Sequence, residues 1–474
     1  MLIVPHRAFP VKNYPQRLTL PKNHIILDII ILPAVDFHMY FANFQIVYRR
    51  DPPAAFLRLK KSRKEGITMM TLNEFRQARD LLSGILSDTS LIYSPHFSQQ
   101  CGGQVYLKPE NMQVTGAYKV RGACFKVSTL SEEEKARGLV TASAGNHAQG
   151  VAFAAQRSGI HATIVMPTTT PLVKVNNTKA YGANVVMEGS CFDESAAVAA
   201  RLAQEQGLTY IHPFNDLTVA TGQGTIAYEI FKDLPDVDMI LVPIGGGGLA
   251  SGVSTLTKLL NPNVKVIGVE PAGAASMKAA LEAGHPVTLP SVNTIADGVA
   301  VKTVGDQVFP YIQQNLDDVI TISDDELVDT FLDMMEKHKM VVENSGLLTV
   351  AALQHIDCKG KFVVPILSGG NMDVITMSCL IQHGLLRRGR VFTFSVMLPD
   401  QPGELLNVAR IVSEQNGNII KLDHNQFVSI NRQAEVELKV TLEAFGHSHK
   451  DAIMAALAEA GYNAKVVPAT ATFG

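Results

Sequence analysis

The chain has 474 residues, of which 46% are hydrophobic and 18% are charged, and its formal net charge is −3. This length exceeds what one hydrophobic core usually organises, and the composition argues against a disordered chain and against a nucleic-acid-binding protein. The five cysteines are odd in number and share no CxxC spacing, so they indicate neither a disulfide framework nor a zinc site and favour a reducing, cytoplasmic setting.

The first 68 residues carry scattered Pro, Arg and Lys without a periodic pattern, and we expect them to form a poorly ordered extension outside the fold. The apolar run at 26–35 contains Asp28 and is followed by Asp36, so it is too short and too charged to cross a bilayer. It also lacks the charged start and the small-residue cleavage site of a secretory signal. The sequence therefore predicts no membrane partner.

From Thr71 onward, short apolar or β-branched runs alternate with Ala-rich helical stretches, which predicts an α/β region over 69–388. The predicted strands lie at 138–142, 162–166, 183–187, 239–243, 264–269, 319–322 and 362–367. Helical crossovers between such strands are typical of parallel sheets. We expect two subdomains, the smaller over roughly 115–210, and we expect the chemistry to lie in loops at the carboxyl ends of the strands.

At Arg390 the pattern changes, and it predicts a second domain over 390–474. The predicted elements, in a β-α-β-β-α-β order, are strands at 391–398, 418–424, 434–442 and 464–467, a helix that follows the 400–405 turn and ends near Gly417, and a helix over 450–460 capped by Ser448. The turn with Asp400, Pro402 and Gly403 resembles that of ACT domains. A ferredoxin-like appendage that binds no ligand remains the alternative.

The segment 107–122 places Lys119 after Tyr118, just where a helix is predicted to begin. Partial desolvation and the positive end of a helix both lower the pKa of a lysine and favour the free amine, which imine chemistry requires. Lys108, Lys119 and Arg121 are also compatible with ordinary solvated charges. The other loops therefore decide between these two interpretations.

A second loop lies between a predicted strand and a predicted helix and consists of Ser143, Ala144, Gly145, Asn146 and His147. Backbone N–H groups at the start of a helix, together with the Ser143 and Asn146 side chains, form an anion cradle that suits a substrate carboxylate. His147 is either a base or a residue that only begins the helix. We favour the second role for it.

A third loop follows the strand at 239–243 and consists of Gly245, Gly246, Gly247, Gly248 and Leu249. Consecutive glycines let backbone amides approach an anion without side-chain interference, which predicts a phosphate site. The run matches neither the GxGxxG dinucleotide pattern nor the P-loop. Taken alone, it is also compatible with a linker.

A fourth loop, at 367–371, again joins a strand to a helix, and Ser368 places a neutral hydroxyl in the same crevice. A neutral partner on a pyridine nitrogen leaves the ring unprotonated and a weaker electron sink than an Asp-paired ring. Such a partner favours expulsion of a β-hydroxyl over transamination.

With these four loops in this order, residues 71–388 resemble the fold type II pyridoxal-phosphate enzymes, whose core is like that of the tryptophan synthase β chain, and specifically the threonine/serine dehydratases. The resemblance implies pyridoxal 5'-phosphate as the cofactor and assigns its contacts as follows: the Schiff base to Lys119, the phosphate to Gly245, Gly246, Gly247, Gly248 and Leu249, the phenolic oxygen to Asn146, the pyridine nitrogen to Ser368, and the two ring faces to Tyr118 and Gly298. It assigns the substrate carboxylate to the loop at 143–147. The family usually has Phe where this chain has Tyr118.

The resemblance implies deamination of L-threonine to 2-oxobutanoate and ammonia, and of L-serine to pyruvate, with the Lys119 amine as the base that removes the α-proton. One methyl group in a pocket is worth only about 1–3 kcal/mol, so the sequence does not rank the two substrates. A serine racemase is the nearest rival, but its pattern has a second serine where this chain has Ala144. A hydroxyaspartate ammonia-lyase of the same fold and a catalytically silent amino-acid-binding regulator are further alternatives.

Racemase-like members of this fold bind a divalent cation through a Glu after a strand and an Asp six residues later. This chain has Glu270 and then Ser276, so we expect no metal ligand there. The ACT-like domain implies control by an amino-acid effector, isoleucine or valine by family analogy, at an interface between ACT units. We therefore expect a homo-oligomer, either a dimer or a tetramer.

Overall fold

The computed structural model describes residues 70–426 and 436–468. The predicted extension at 1–68 lies outside the described residues, so it stays a prediction. Across the described ranges, helices and strands alternate as the sequence pattern indicates.

The elements are numbered in chain order. The helices are α1 (Leu72–Leu82), α2 (Pro95–Cys101), α3 (Lys119–Ser128), α4 (Glu132–Arg137), α5 (Asn146–Ser158), α6 (Leu172–Lys179), α7 (Phe192–Gln206), α8 (Leu217–Gly224), α9 (Ile226–Asp233), α10 (Gly248–Leu260), α11 (Ser276–Ala283), α12 (Phe309–Asn315), α13 (Asp324–Asp333), α14 (Asn344–Ala351), α15 (Val374–Arg387), α16 (Glu404–Glu414) and α17 (His447–Glu459). The strands are β1 (Ile92–Tyr93), β2 (Gln104–Leu107), β3 (Leu139–Ala142), β4 (Ala162–Met166), β5 (Asn184–Met187), β6 (Thr209–Tyr210), β7 (Met239–Pro243), β8 (Lys265–Pro271), β9 (Asp318–Ile322), β10 (Phe362–Pro365), β11 (Val391–Leu398), β12 (Asn418–Asn425), β13 (Val436–Glu443) and β14 (Lys465–Val466).

The larger sheet of the α/β region has six strands in the order β1-β2-β10-β7-β8-β9. All neighbouring pairs are parallel, as the sequence pattern indicates, except β1 and β2, which are antiparallel at the edge of the sheet. Every residue of β7 is buried, which is why its sequence is a continuous apolar run rather than an alternating one. The strands β1, β2 and β6 are absent from the predicted set, since two or four residues carry too little pattern to be recognised.

A second, four-stranded sheet has the order β5-β4-β3-β6, and all of its pairs are parallel. Helices α3 and α5 contact each other and contribute buried side chains to the same core cluster as strand β3. This sheet falls within the smaller subdomain predicted at roughly 115–210, although the boundaries themselves stay a prediction. Because α3 begins at Lys119 and α5 begins at Asn146, both helices present their first residues at the same end of this layer.

The C-terminal elements follow the predicted β-α-β-β-α-β order and form an antiparallel sheet, β12-β13-β11-β14. Helices α16 and α17 pack on it through a separate hydrophobic cluster that includes Phe394 and Leu457. The predicted Ser448 cap is wrong, because α17 begins at His447 after Gly446. Instead, His449 accepts a hydrogen bond at Nδ1 from the Phe445 amide, at 3.0 Å, and so satisfies a backbone donor just before the helix.

Candidate active site

Loops at the carboxyl ends of β3, β7 and β10 enclose a cavity of about 250 Å³. Of the residues that the sequence assigns to a site, the cavity is lined by Tyr118, Lys119, Ser143, Ala144, Gly145, Asn146, His147, Gly298 and Ser368. Segments more than 200 residues apart in sequence therefore meet here, as the placement of loops at strand ends predicts.

Lys119 is the first residue of α3, and its side chain enters this cavity. Its Nζ donates a hydrogen bond to the Pro213 carbonyl at 2.8 Å and lies 5.4 Å from the centre of the Tyr118 ring. Burial lowers the pKa of Lys119 to about 8, and the Glu343 carboxylate opposes this shift only in part. The neutral, nucleophilic form of the amine is therefore far more populated near neutral pH than in an ordinary lysine.

The backbone around Lys119 is paired with the loop that carries Ser368. The Tyr118 amide donates to the Ser368 carbonyl at 3.1 Å, and Ala117 forms an isolated antiparallel bridge with Gly369. Ser368 itself is buried at the cavity wall. The lysine and the proposed pyridine partner are thus held in a fixed relation by main-chain hydrogen bonds rather than by flexible side chains.

The loop at 143–147 begins α5, so its backbone amides point from a helix N-terminus toward the cavity. Ser143 Oγ accepts from the Gly145 amide at 3.2 Å, which shapes the turn. A Cβ added to Gly145 would meet no atom within 4 Å, because the loop faces open space at this point. This arrangement suits a small anion such as a carboxylate.

His147 is buried, and its Nε2 donates to the Ile211 carbonyl at 3.0 Å. Burial, together with the positive charge of Lys119, lowers the pKa of His147 to about 3, so the ring is neutral. The hydrogen bond fixes α5 against the chain segment after β6. These contacts support the interpretation of His147 as a residue that begins the helix rather than as a base.

The glycine run leads from β7 into α10, as predicted, but Gly245, Gly246, Gly247 and Gly248 do not line the cavity. The Phe214 ring does line it, and a Cβ on Gly246 would lie 2.2 Å from that ring. Gly247 has φ +98°, a conformation that only glycine adopts without strain. Leu249 directs its side chain into the hydrophobic core, so only its backbone can contact a ligand. Assignment of this loop to the phosphate stays a prediction.

Gly298 lines the cavity, and a side chain there would collide with a neighbour, because its Cβ would lie 2.7 Å from Ser345 Oγ. That hydroxyl is buried and has no hydrogen-bond partner within the described residues. A buried polar atom without a partner is uncommon in proteins and often marks a place where a ligand supplies the missing bond.

Sequence reasoning missed Glu343, Asn371 and the ion pair between Lys174 and Asp297. Glu343 is buried at the cavity wall, and its Oε1 accepts from Asn146 Nδ2 at 2.6 Å. Lys174 Nζ lies 2.9 Å from Asp297 Oδ2 and thereby joins α6 to the segment that carries Gly298. Glu343 follows Val341 and Val342 and directly precedes the start of α14. An acidic residue in this position is the one sequence signal that could have identified it.

These residues fit pyridoxal phosphate. The Lys119 amine, whose pKa is lowered, lies beside the Tyr118 ring, and the Ser368 hydroxyl and the Asn146 amide line the same cavity. Ser345 Oγ is buried without a hydrogen-bond partner within the described residues. The donor set is therefore that of a site for a planar, polar cofactor with one reactive carbonyl.

The sequence matches the family model described as pyridoxal-phosphate dependent enzyme over residues 82–369. It is 42% identical to an L-threonine ammonia-lyase of Thermotoga maritima over 84% of this chain and 100% of that protein. The chain belongs to the L-threonine ammonia-lyase family of pyridoxal-phosphate dependent enzymes. A second member of the family, from Geobacter sulfurreducens, is 41% identical over 83% of this chain and 98% of its own length. These matches confirm the predicted family, enzyme class and cofactor.

Two solved structures resemble about two thirds of this chain. The processed form of threonine deaminase isoform 2 from Solanum lycopersicum has a TM-score of 0.62 and 40% identity, and the match covers 66% of this chain and 94% of that one. Maize serine racemase has a TM-score of 0.64 and 34% identity over 68% of this chain and 100% of its own. The fold type II prediction is confirmed, while the overall fold does not separate ammonia-lyases from racemases.

Both carboxylate oxygens of Glu270 accept hydrogen bonds. They accept from the Met277 and Lys278 amides at the start of α11, at 2.7 and 2.9 Å. Across residues 70–426 and 436–468, no group of three or more His, Cys, Asp or Glu is placed to hold a metal ion. Over the same ranges, none of the helices has the length and apolar character that crossing a bilayer requires.

Proposed function

We propose that this L-threonine ammonia-lyase family member converts L-threonine to 2-oxobutanoate and ammonia, and L-serine to pyruvate and ammonia, by β-elimination. The observation that carries the proposal is the Lys119 amine, whose pKa is lowered to about 8 and which shares one cavity with the carboxylate loop at 143–147. The names of the relatives from Thermotoga maritima and Geobacter sulfurreducens support the same reaction.

When bound, pyridoxal phosphate supplies an electron sink that stabilises negative charge at the substrate α-carbon. Lys119 would hold it covalently, Tyr118 and Gly298 would contact its ring faces, Ser368 its ring nitrogen, Asn146 its phenolic oxygen, and the loop Gly245, Gly246, Gly247, Gly248 and Leu249 its phosphate. The Phe214 ring lines the cavity and packs closely against Gly246 of that loop.

The protein's own groups account for binding and proton transfer. The amides of the 143–147 loop hold the substrate carboxylate at the positive end of α5. Once the substrate amine takes the place of Lys119 on the cofactor, the freed Nζ of Lys119 would remove the proton from the substrate α-carbon, a step that a positioned general base typically accelerates by about 10²–10⁴-fold. The β-hydroxyl would take up a proton and leave as water, and hydrolysis of the enamine product would give the 2-oxo acid and ammonia. The neutral Ser368 partner favours this outcome over transamination.

Ala144 separates this proposal from a serine racemase. Its side chain lines the cavity and ends in a methyl group, so it offers no hydroxyl to deliver a proton to the opposite face of the substrate. We expect no rapid conversion of L-serine to D-serine by the purified protein, measured by chiral chromatography. Such conversion would overturn the assignment.

We further propose that the C-terminal region, predicted over 390–474, is an ACT domain that binds an amino-acid effector such as isoleucine or valine in a homodimer or homotetramer. The antiparallel βαββαβ arrangement supports it. Apolar side chains exposed on α16 and on the edge strand β12, among them Leu406 at 71% and Ile420 at 52%, also suit contact between subunits. A chain ending at Arg388 that responded to these effectors as the full chain does would refute the role.

The protein is proposed to act in the cytoplasm on free amino acids, without nucleic-acid or membrane partners. All five cysteines are unpaired in the structure, which supports a reducing compartment.

The proposed reaction is tested by following 2-oxo acid formation from threonine and serine, with and without branched-chain amino acids. We expect Lys119→Ala to lower turnover by at least about 10²–10⁴-fold and to abolish the visible absorbance of covalently held cofactor. Lys179→Ala, at the exposed end of α6, is the matched control and should behave as the unaltered protein. Normal turnover in Lys119→Ala would contradict the central assignment.

A further inference from the structure

Three segments that are far apart in sequence form a single chain of side-chain hydrogen bonds behind the cavity. Asn371 Nδ2 donates to the Thr115 carbonyl at 2.8 Å and to Asn146 Oδ1 at 2.8 Å. Asn146 Nδ2 in turn donates to Glu343 Oε1 at 2.6 Å. The four groups thus form an ordered series that ends at a residue of the cavity wall.

The direction of this series is set by its first acceptor. A backbone carbonyl can only accept, so the Thr115 carbonyl requires the amino group of Asn371 to face it. With Asn371 in that orientation its second N–H meets the oxygen of Asn146, and the amino group of Asn146 is left to face Glu343. Turning the Asn146 amide over would oppose nitrogen to nitrogen at Asn371 and oxygen to oxygen at Glu343.

Two glycines let the backbone approach these side chains closely. A Cβ on Gly116 would lie 2.5 Å from Asn371 Oδ1, and Gly116 has φ +71°. A Cβ on Gly369 would lie 2.4 Å from Glu343 Oε1 and 2.9 Å from Asn146 Nδ2. The two glycines therefore allow Asn371 and Glu343 to approach the backbone closely, and a larger residue at either position would disturb the hydrogen-bond series.

We propose that Glu343 and Asn371 are positioning residues that lock the Asn146 amide with Nδ2 as the donor toward the cofactor's phenolic oxygen. One of the two N–H bonds of Nδ2 is used by Glu343, and the other remains for the ligand. The inference rests on the proposed cofactor role of Asn146. It adds two residues that act through Asn146 rather than on the substrate.

The electrostatics of Glu343 agree with this role. Burial, reinforced by the nearby Asp297 carboxylate, raises its pKa to about 7, while the Asn146 hydrogen bond, Lys174 and Lys119 act in the opposite direction. Buried acidic residues are usually paired with a cation. Glu343 has an amide as its hydrogen-bond partner instead.

The decisive experiment uses the holoenzyme without substrate and follows the visible absorbance of bound pyridoxal phosphate against pH. Asn371→Asp keeps the side-chain size but makes position 371 an acceptor, which favours the reversed Asn146 amide. We expect the midpoint of the absorbance change to move by about one pH unit or more, since one hydrogen bond to a charged oxygen is lost. Glu343→Gln should move it in the same assay.

Two further variants make the result specific. Asn111→Asp makes the same chemical change beside the site, because Asn111 Nδ2 donates to the Val341 carbonyl and not to Asn146. It should leave the absorbance midpoint in place even if it lowers the melting temperature. Asn146→Ala should shift the midpoint at least as far as Asn371→Asp.

An unmoved midpoint in both Asn371→Asp and Glu343→Gln, with cofactor still bound, would overturn the inference. If Asn146→Ala also left the spectrum unchanged, the proposed cofactor role of Asn146 would fail as well. Neither outcome depends on which substrate is deaminated, so failure of the threonine reaction is scored separately by the 2-oxo acid assay.

Discussion

Lys119 and Arg121 lie two residues apart at the start of α3, yet they enter two regions of opposite character. Arg121 is fully buried and forms ion pairs with Glu110 at 2.7 Å and with Glu229 at 2.6 Å. Lys108, also fully buried, joins the same group, so two positive side chains meet two negative ones. We name these four residues the Arg121 network.

The cavity around Lys119 is paired differently, because Lys174 is paired with Asp297 while Lys119 and Glu343 each bond to an uncharged group. Lys119 bonds to a backbone carbonyl and Glu343 bonds to an amide, and burial moves the pKa of each toward neutrality, to about 8 and to about 7. In the Arg121 network the opposite occurs, because Arg121 and Lys108 outweigh burial and lower the pKa of Glu229 to about 2. Buried side chains that are paired with an opposite charge serve the structure, because removing one partner destabilises the fold. Ionisable side chains of shifted pKa in a cleft are candidates for chemistry.

The largest expected effect is a loss of stability when the Arg121 network is disrupted. Glu110→Gln leaves Arg121 and Lys108 with one acidic partner, and an uncompensated buried charge costs about 3–5 kcal/mol. We expect the free energy of unfolding, measured by urea titration, to fall by that amount. Glu132→Gln, whose side chain is 88% exposed, is the control and should change it by less than about 0.5 kcal/mol. A loss below about 1 kcal/mol in Glu110→Gln would show that the network is not structurally essential.

Glu343→Gln should behave differently, because the group to which Glu343 is hydrogen-bonded is the uncharged amide of Asn146. In the cofactor-free protein the folded pKa of about 7 lies above the unfolded value of 4.5. The folded state therefore binds more protons, and Glu343 stabilises it fully below pH 4.5 and loses that contribution as pH rises to 7. Relative to Glu343→Gln, the unaltered protein should lose up to about 3 kcal/mol across this window. Parallel curves of unfolding free energy against pH for the two proteins would contradict the raised pKa of Glu343.

Lys119 provides the complementary test at high pH. Its folded pKa of about 8 lies below the unfolded value of 10.5, so the unfolded chain binds more protons between these values. The unaltered cofactor-free protein should therefore gain stability relative to Lys119→Met as pH rises from 8 to 10.5. The upper bound is about 3 kcal/mol, reduced by screening from water in the cavity. Urea titrations at three pH values would measure how the difference in unfolding free energy between the two proteins changes with pH. A difference that does not change with pH would refute the lowered pKa of Lys119.

The sequence predicted these two regions unequally. The strands at 162–166 and 239–243 agree with the structure at both ends, because continuous apolar runs are a strong local pattern. Lys119 could be singled out because its neighbours in sequence, the aromatic ring and the helix start, are also its neighbours in space.

Glu343 and Asn371 could not be found in this way. Their contacts with Asn146 join residues 197 and 225 positions apart, and no local pattern encodes such a meeting. The Arg121 network could not be predicted either. In the sequence, Lys108 and Arg121 are compatible with ordinary solvated charges, and only the folded structure shows their ion pairs with Glu229.

The smallest expected effect concerns the ion pair at the edge of the cavity. Asp297 is 69% exposed, so water screens its contact with Lys174, and Asp297→Asn should lower the free energy of unfolding by less than about 1 kcal/mol. The pair nevertheless joins α6 to the segment that carries Gly298, so its loss should loosen the cavity wall and raise KM for threonine more than it lowers kcat. Steady-state kinetics separate the two constants. If Asp297→Asn lost as much stability as Glu110→Gln, the pair of Lys174 and Asp297 would have a structural role like that of the Arg121 network.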